Sequence, residues 1–295
     1  MILLQLLFNS IVSGIQLALM AAGFHLIFNT TKVFHLAHAA VYTCSTYTFL
    51  ILLSKFDTLT FTSVALPAAG SFITAILLSA LIEFLVYLPM ARRHTTQAIT
   101  LIASIGINIF LENLAAMLYG NQARYFPYRP GISLWHLPIT ITFAQELQLF
   151  FAALLLGGLF FLSRGRLFLQ VRAVMSQAII ASTIGINTNK IRLLCMMAGS
   201  ILAAMAGMLR VLDAGIYPSG GMGITLSAAA AVIIGGGRTL KATIMASLLV
   251  ASLQTATEWW LSSQWKNGIT FLLLIAVLLW KTEGIVSFKM RIEEK

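Results

Sequence analysis

Long apolar runs joined by short polar connections set the pattern of this chain. The apolar segments cover Leu3–Phe28, Val33–Leu53, Thr62–Leu88, Thr96–Tyr119, Phe143–Leu162, Ile191–Ala214, Met222–Ile234, Leu240–Leu261 and Gly268–Trp280. Each run is continuous rather than alternating, which predicts helices and excludes a β-barrel. A helix needs roughly 20 apolar residues to cross the hydrocarbon layer. The expected fold is therefore all-α and polytopic, a single membrane domain over residues 1–295 with about eight or nine transmembrane helices. Met222–Ile234 is too short to cross alone unless its glycine-rich flanks extend it, which predicts a broken or re-entrant helix.

Composition strengthens this picture. Of the 295 residues 59% are hydrophobic and 9% charged, against about a quarter charged in soluble domains, so a disordered chain is excluded and a water-soluble one disfavoured. Cys44 and Cys195 both lie inside apolar runs, where a thiol behaves as a small hydrophobe and offers no metal or disulfide framework. The first residues carry no basic leader and no small-residue cleavage site before the apolar run. They read as a retained first helix.

Charge then predicts orientation. Lys and Arg number 19 against nine Asp and Glu, a net charge of +10. In a soluble protein that excess suggests nucleic acid; in a polytopic one it is loop charge that fixes topology, and no nucleic-acid partner is expected. With nine crossings, Lys55, Arg124, Arg129, Arg210 and Lys266 fall on one side and the other fourteen basic residues on the opposite one. The positive-inside rule places the fourteen in the cytoplasm, with an outside N-terminus and a cytoplasmic C-terminus. Trp135, Trp259, Trp260 and Trp265 fall at the expected outer boundary and Trp280 at the inner one, as amphipathic rings prefer.

Polar groups inside the runs are the candidate functional residues, because each costs roughly 2.5–3.5 kcal/mol on insertion scales. Glu83, Asp213 and Glu258 sit near segment ends and are expected to reach the interface. Glu112 lies deeper, with Asn108 one turn earlier on the same helical face. His35 and His38, at i and i+3, are placed on one helical face, without the Cys, Asp or Glu neighbours that a metal site would need. His35, His38, Asn108 and Glu112 are the candidates for a substrate path. Ser163 to Lys190 is a partly apolar segment on the basic side. Leu169, Val171, Val174, Met175, Ala178, Ile179 and Ala181 are expected along one side of a helix that stops at Gly185. Such a helix either lies on lipid headgroups, the simpler reading from spacing alone, or seats itself in a groove on a partner. No phosphate-binding glycine loop occurs, so any ATP is bound by another subunit. No cofactor is expected.

Several strings resemble one known family. They are Gly23-Phe24-His25-Leu26-Ile27-Phe28, Val33-Phe34-His35-Leu36-Ala37-His38, Leu101-Ile102-Ala103-Ser104-Ile105-Gly106, Leu118-Tyr119-Gly120, and Gly165-Arg166 through Arg172-Ala173-Val174 to Gly185-Ile186-Asn187. The last is Ala230-Ala231-Val232-Ile233-Ile234-Gly235-Gly236. In this order they resemble the membrane subunits of branched-chain amino-acid ABC importers. Departures occur at Ala39-Ala40, where that family carries Gly-Glu, at Gln177-Ala178-Ile179 in place of its charged residues, and at Arg238 to Thr243. The resemblance implies a permease in the bacterial inner membrane that pairs with itself or with a second permease. Cytoplasmic ABC ATPase subunits would dock below, and an extracytoplasmic solute-binding protein would deliver an amino acid or similar small polar solute. It further implies that Arg172 to Ile186 forms the coupling helix, with Arg172, Ala173, Val174, Ala178, Ala181 and Gly185 coupling to the ATPase. Asn121 to His136 would be a surface for the binding protein. On the residues alone two rivals stay open: a proton-coupled secondary transporter using Glu112 and Glu258, and a membrane enzyme centred on His35 and His38.

Overall fold

The computed structural model describes residues 2–56, 61–93, 95–125, 141–162, 164–237 and 239–280. Among these, helices account for nearly all regular structure. They are α1 (Ile2–Thr31), α2 (His38–Leu53), α3 (Phe61–Ile82), a π-helical turn (Glu83–Tyr87), α4 (Leu88–Arg92), α5 (Gln97–Tyr119) and α6 (Phe143–Leu162). Then follow α7 (Arg166–Ser176), α8 (Ala178–Thr183), α9 (Thr188–Ala214), α10 (Gly220–Ile234), α11 (Leu240–Trp260), a 3₁₀ turn (Ser263–Trp265) and α12 (Lys266–Trp280). An isolated antiparallel bridge joins Arg124 to Ile216.

Among the described residues, six helical stretches are long and apolar enough to cross a membrane: Ile2–Thr31, Ser63–Arg92, Gln97–Tyr119, Thr188–Ala214, Leu240–Trp260 and Ser263–Trp280. α2 and α10 are shorter apolar helices of 16 and 15 residues. The second apolar segment thus differs from expectation, since its helix begins at His38 rather than Val33. Lys32 adopts a left-handed conformation with φ 58° and ends α1, and Val33 donates back to the Thr31 hydroxyl at 3.2 Å. Residues 33–37 then turn, with Leu36 N–H bonded to the Phe34 carbonyl and His38 N–H to that of His35. His35 therefore precedes the helix, and the two histidines do not share a helical face.

The bundle is organised as two similar halves. In each, a long helix is followed by a short one and then a second long one: α1, α2, α3 and α9, α10, α11. The packing is reciprocal. α1 lies against α11, α9 and α10, while α9 lies against α3, α1 and α2. α1 and α9 run antiparallel, because Gly23 faces Gly199 while Gln16, toward the start of α1, connects through Gln148 to Leu209, toward the end of α9. The two short helices begin beside each other, with Gly221 of α10 against the Ala39 carbonyl of α2.

At the crossing of α1 and α9 two backbones meet directly. A Cβ added to Gly23 would stand 2.5 Å from the Gly199 carbonyl oxygen, and one added to Gly199 would stand 2.7 Å from that of Gly23. Backbone meets backbone here, so no rotamer change relieves an added methyl group. Small residues at such points let apolar helices approach closely where no hydrophobic driving force separates lipid from protein. Around the crossing Leu17, Met20, Phe24, Leu202, Ala203, Ala206 and Ala228–Ala231 form the main buried cluster.

Gly199→Val is therefore expected to cost at least about 1–3 kcal/mol, the usual range for overpacking. It should lower the thermal midpoint of the detergent-solubilised protein, followed by size-exclusion monodispersity. Gly106→Ala, where a Cβ meets nothing within 4 Å, should leave that midpoint unchanged.

Candidate functional site

A polar stripe on α5 anchors the candidate site. α5 is largely exposed along its length, yet Thr100, Ser104 and Asn108, spaced four residues apart, are buried on its inward face. The middle of the stripe closes the start of α2. A helix N-terminus leaves backbone N–H groups unpaired, and in a bilayer no water is at hand to take them. Here the Ala37 N–H donates to Ser104 Oγ at 2.9 Å. The Tyr87 hydroxyl also donates to Ser104 Oγ, at 2.9 Å, and lies 2.7 Å from His35 Nδ1. One side chain from α5, one from the π turn and one from the 33–37 connection thus fix where α2 begins.

One turn further along α5, Asn108 Nδ2 donates to Glu112 Oε2 at 3.2 Å and approaches Met222 Sδ at 4.0 Å. The pair read from the i, i+4 spacing is therefore formed, and it abuts the first turns of α10. Asn108 is buried and Glu112 half-buried. His35 and His38 are both fully buried, with ring centroids 5.5 Å apart. His38 packs edge-on to Phe24 of α1 beside the Met20 backbone, and His35 Nε2 has no hydrogen-bond partner among the described residues. The structure gathers His35, Ser104 and Tyr87 into one network, with Asn108 and Glu112 forming a separate contact beyond it.

Glu83, expected at the interface, is instead buried. It opens the π turn in the middle of the Ser63–Arg92 helix, and its Oε1 lies 3.3 Å from Arg192 Nη2 on α9, with side chains 4% and 16% exposed respectively. Nothing in local spacing pairs residues so far apart in sequence. Glu258 and Asp213 do reach the exposed ends of their helices, and Glu258 is bonded to Lys266 at 2.7 Å. Together with Arg210, Gln145, Gln16, Ser13 and Asn9 they line a polar cavity of about 220 Å³ between α1, α6, α9 and α11.

The segment after Ser163 is two helices, not one. Gln177 is extended, with φ −148° and ψ 97°, and divides α7 from α8. The expected single apolar side is correspondingly split. Val174 and Ala181 are buried against Ile191 and Cys195 of α9, with Ala173 and Val171 packed alongside. Arg172, Ala178 and Gly185 are exposed, and Ile179, Ile180 and Ile184 present 81%, 56% and 70% of their surface. Lys32 Nζ donates to the Met175 carbonyl at 3.1 Å, fastening the end of α7 to the end of α1. Gly185, with φ 87°, ends α8 as expected, and Asn187 Oδ1 accepts from Lys190 N–H to cap α9. Of the proposed outer surface, Arg124 is fixed by its bridge to Ile216 and by an Nε donation to the Tyr119 carbonyl at 3.1 Å. Its remainder from residue 126, with Arg129 and Trp135, lies outside the described residues, as do Ser163, Arg238 and the basic residues from Lys281 onward.

A family profile described as "Branched-chain amino acid transport system / permease component" matches residues 6–278. The chain belongs to this permease family. It is 26% identical over 296 residues to the high-affinity branched-chain amino acid transport system permease protein LivH of Salmonella typhimurium, covering 96% of this chain and 95% of that protein. It is 28% identical over 295 residues to the corresponding permease protein BraD of Pseudomonas aeruginosa, with the same coverage. A probable branched-chain amino acid transport permease protein LivH of Methanocaldococcus jannaschii is 28% identical, over 96% of this chain and 92% of its own length. The match spans both halves of the bundle and the α7–α8 segment between them. As a family member the chain is a membrane transport component, in keeping with its apolar helices.

The Ser104 network gives a direct test of how the permease holds its interior. Ser104→Ala removes the acceptor of both the Ala37 N–H and the Tyr87 hydroxyl, and a buried polar group left unpaired costs about 1–3 kcal/mol. The thermal midpoint should fall clearly, whereas Ser252→Ala on an exposed face of α11 should leave it in place.

Proposed function

We propose that this chain is a single-domain permease subunit of an ABC importer, forming the translocation path for a branched-chain or similarly small amino acid while ATP is hydrolysed by a separate subunit. The observation that carries the reading is the match over nearly the whole chain to permeases of that transport system. The absence of a phosphate-binding loop from the sequence accords with it.

In this reading the chain crosses the membrane nine times, α2 and α10 included. The N-terminus faces outward and the α7–α8 segment faces the cytoplasm, as the distribution of basic residues favours. A second permease, identical or related, completes the path; a solute-binding protein delivers solute outside, and two ABC ATPase subunits dock inside. Asn108 and Glu112 lie along the path, where an amide and a carboxylate offer hydrogen bonds and a negative charge to an α-ammonium group. His35 and His38 stand behind them.

Coupling is assigned to α7 and α8 with a division of labour. Val174, Ala181 and Ala173 attach the segment to α9. Arg172, Ala178, Ile179, Ile180, Ile184 and Gly185 form the surface that enters a groove on the ATPase, as a short helix with apolar anchors does. ATP binding draws the two ATPases together, the seated segment follows, and α9 moves with it, exposing the path to alternate sides.

Ile179→Asp combined with Ile184→Asp is expected to reduce recovery of the ATPase subunit with the tagged permease at least fivefold in mild detergent. ATP-driven uptake should be abolished while the permease stays monodisperse. Full recovery of the ATPase and unchanged uptake in that variant would refute the assignment of this surface.

A further inference from the structure

We infer that the buried Glu83–Arg192 pair is a positioning element that carries movement of the α7–α8 segment into the π turn, and from there to the start of α2 and to α5. The inference rests on the permease reading above and names the internal link which that reading needs.

The contacts form an unbroken series. α7 and α8 grip α9 through Val174 and Ala181 against Ile191 and Cys195. Arg192, next to Ile191 in the opening turns of α9, meets Glu83 at 3.3 Å. Glu83 is the first residue of the π turn and Tyr87 its last. The Tyr87 hydroxyl holds both His35 and Ser104, and Ser104 holds the N–H that precedes α2. Asn108 and Glu112 follow on α5 at one-turn intervals. Every junction between helices in this series is made by a side chain that is buried or, at Arg192, 16% exposed, so displacement at one end has few ways to dissipate.

Two features mark the pair as a movable link rather than a fixed rivet. The first is its place in a π turn, an element that interrupts the α-helical bonding pattern and recurs at functional sites. Pro89 follows at once and has no N–H to complete an α-helical bond across it. The second is that the pair is only half made. Glu83 Oε2 and Arg192 Nε are both buried and have no partner among the described residues, although an Arg–carboxylate pair prefers the bidentate fork. The unused donor and acceptor supply a second contact that a small shift of α9 along α3 completes. In this inference the pair alternates between the single contact seen here and a two-point fork, with the position of α9 selecting between them.

The test uses the full transporter, permease with its ATPase subunits, in proteoliposomes, with a mixture of labelled leucine, isoleucine and valine as probe. Uptake and ATP hydrolysis are measured on the same samples. Glu83→Gln and Arg192→Lys should each retain the ATPase subunits and basal hydrolysis within twofold, and lose at least tenfold in solute moved per ATP hydrolysed. The double change Glu83→Met with Arg192→Met replaces the pair by apolar side chains and should restore the thermal midpoint without restoring that ratio. A ratio that stays at the wild-type value in the single variants, or recovers with stability in the double one, would overturn the inference and leave the permease reading intact. Failure of the wild-type complex to couple uptake to ATP would overturn the permease reading, and the inference with it.

Discussion

Everything in this bundle depends on the backbone contact of α1 with α9 at Gly23 and Gly199. Between lipid and an apolar helix there is no hydrophobic gain from association, so close packing and internal hydrogen bonds must hold the helices together. The glycine crossing supplies the close packing, and the surrounding alanines extend it. Because α1 and α9 are the first helices of two similar halves, their antiparallel contact also sets how the halves face each other. It brings the beginnings of α2 and α10 side by side in the interior of the bundle. Each short helix is thereby backed by the long helix of the opposite half.

Polar side chains then do what water does in a soluble protein. Gln16 and Gln148 bridge α1 and α6 to the Leu209 carbonyl of α9. Gln254 bonds Ser227 and Thr270, joining α11 to α10 and α12. His25 meets Thr243 at 2.9 Å between α1 and α11. Ser104 serves the start of α2. These bonds are directional, and apolar contact alone is not. They fix rotation and register in helices whose surfaces are otherwise uniform, α2 and α10 above all, which have almost no amphipathic character in sequence.

That uniformity explains what the sequence made legible. Continuous apolar runs declared the all-helical membrane fold, and ordered strings along the chain declared the family. The Asn108–Glu112 contact was readable because i, i+4 neighbours meet on any helix. Three features were hidden. The late start of α2 follows from the left-handed Lys32 and a turn with no proline or glycine to announce it. The division of α7 from α8 falls at Gln177, a good helix former that gives no local sign of a break. Glu83 looked like an end residue, since its partner Arg192 lies on another helix and nothing in local spacing links them. Pro89 was the one visible sign of irregularity there. Residues that act across the fold are legible only once the fold is known.

On the proposed function, this chain moves solute only when an ATPase drives it. The direct measurement is uptake of labelled branched-chain amino acids into proteoliposomes. One set contains the permease with its co-purified ATPase and membrane partners, and a second contains the permease alone under a proton gradient. The account predicts uptake that requires ATP in the first set and none in the second. Accumulation by the permease alone, driven by protons and indifferent to ATP, would contradict it.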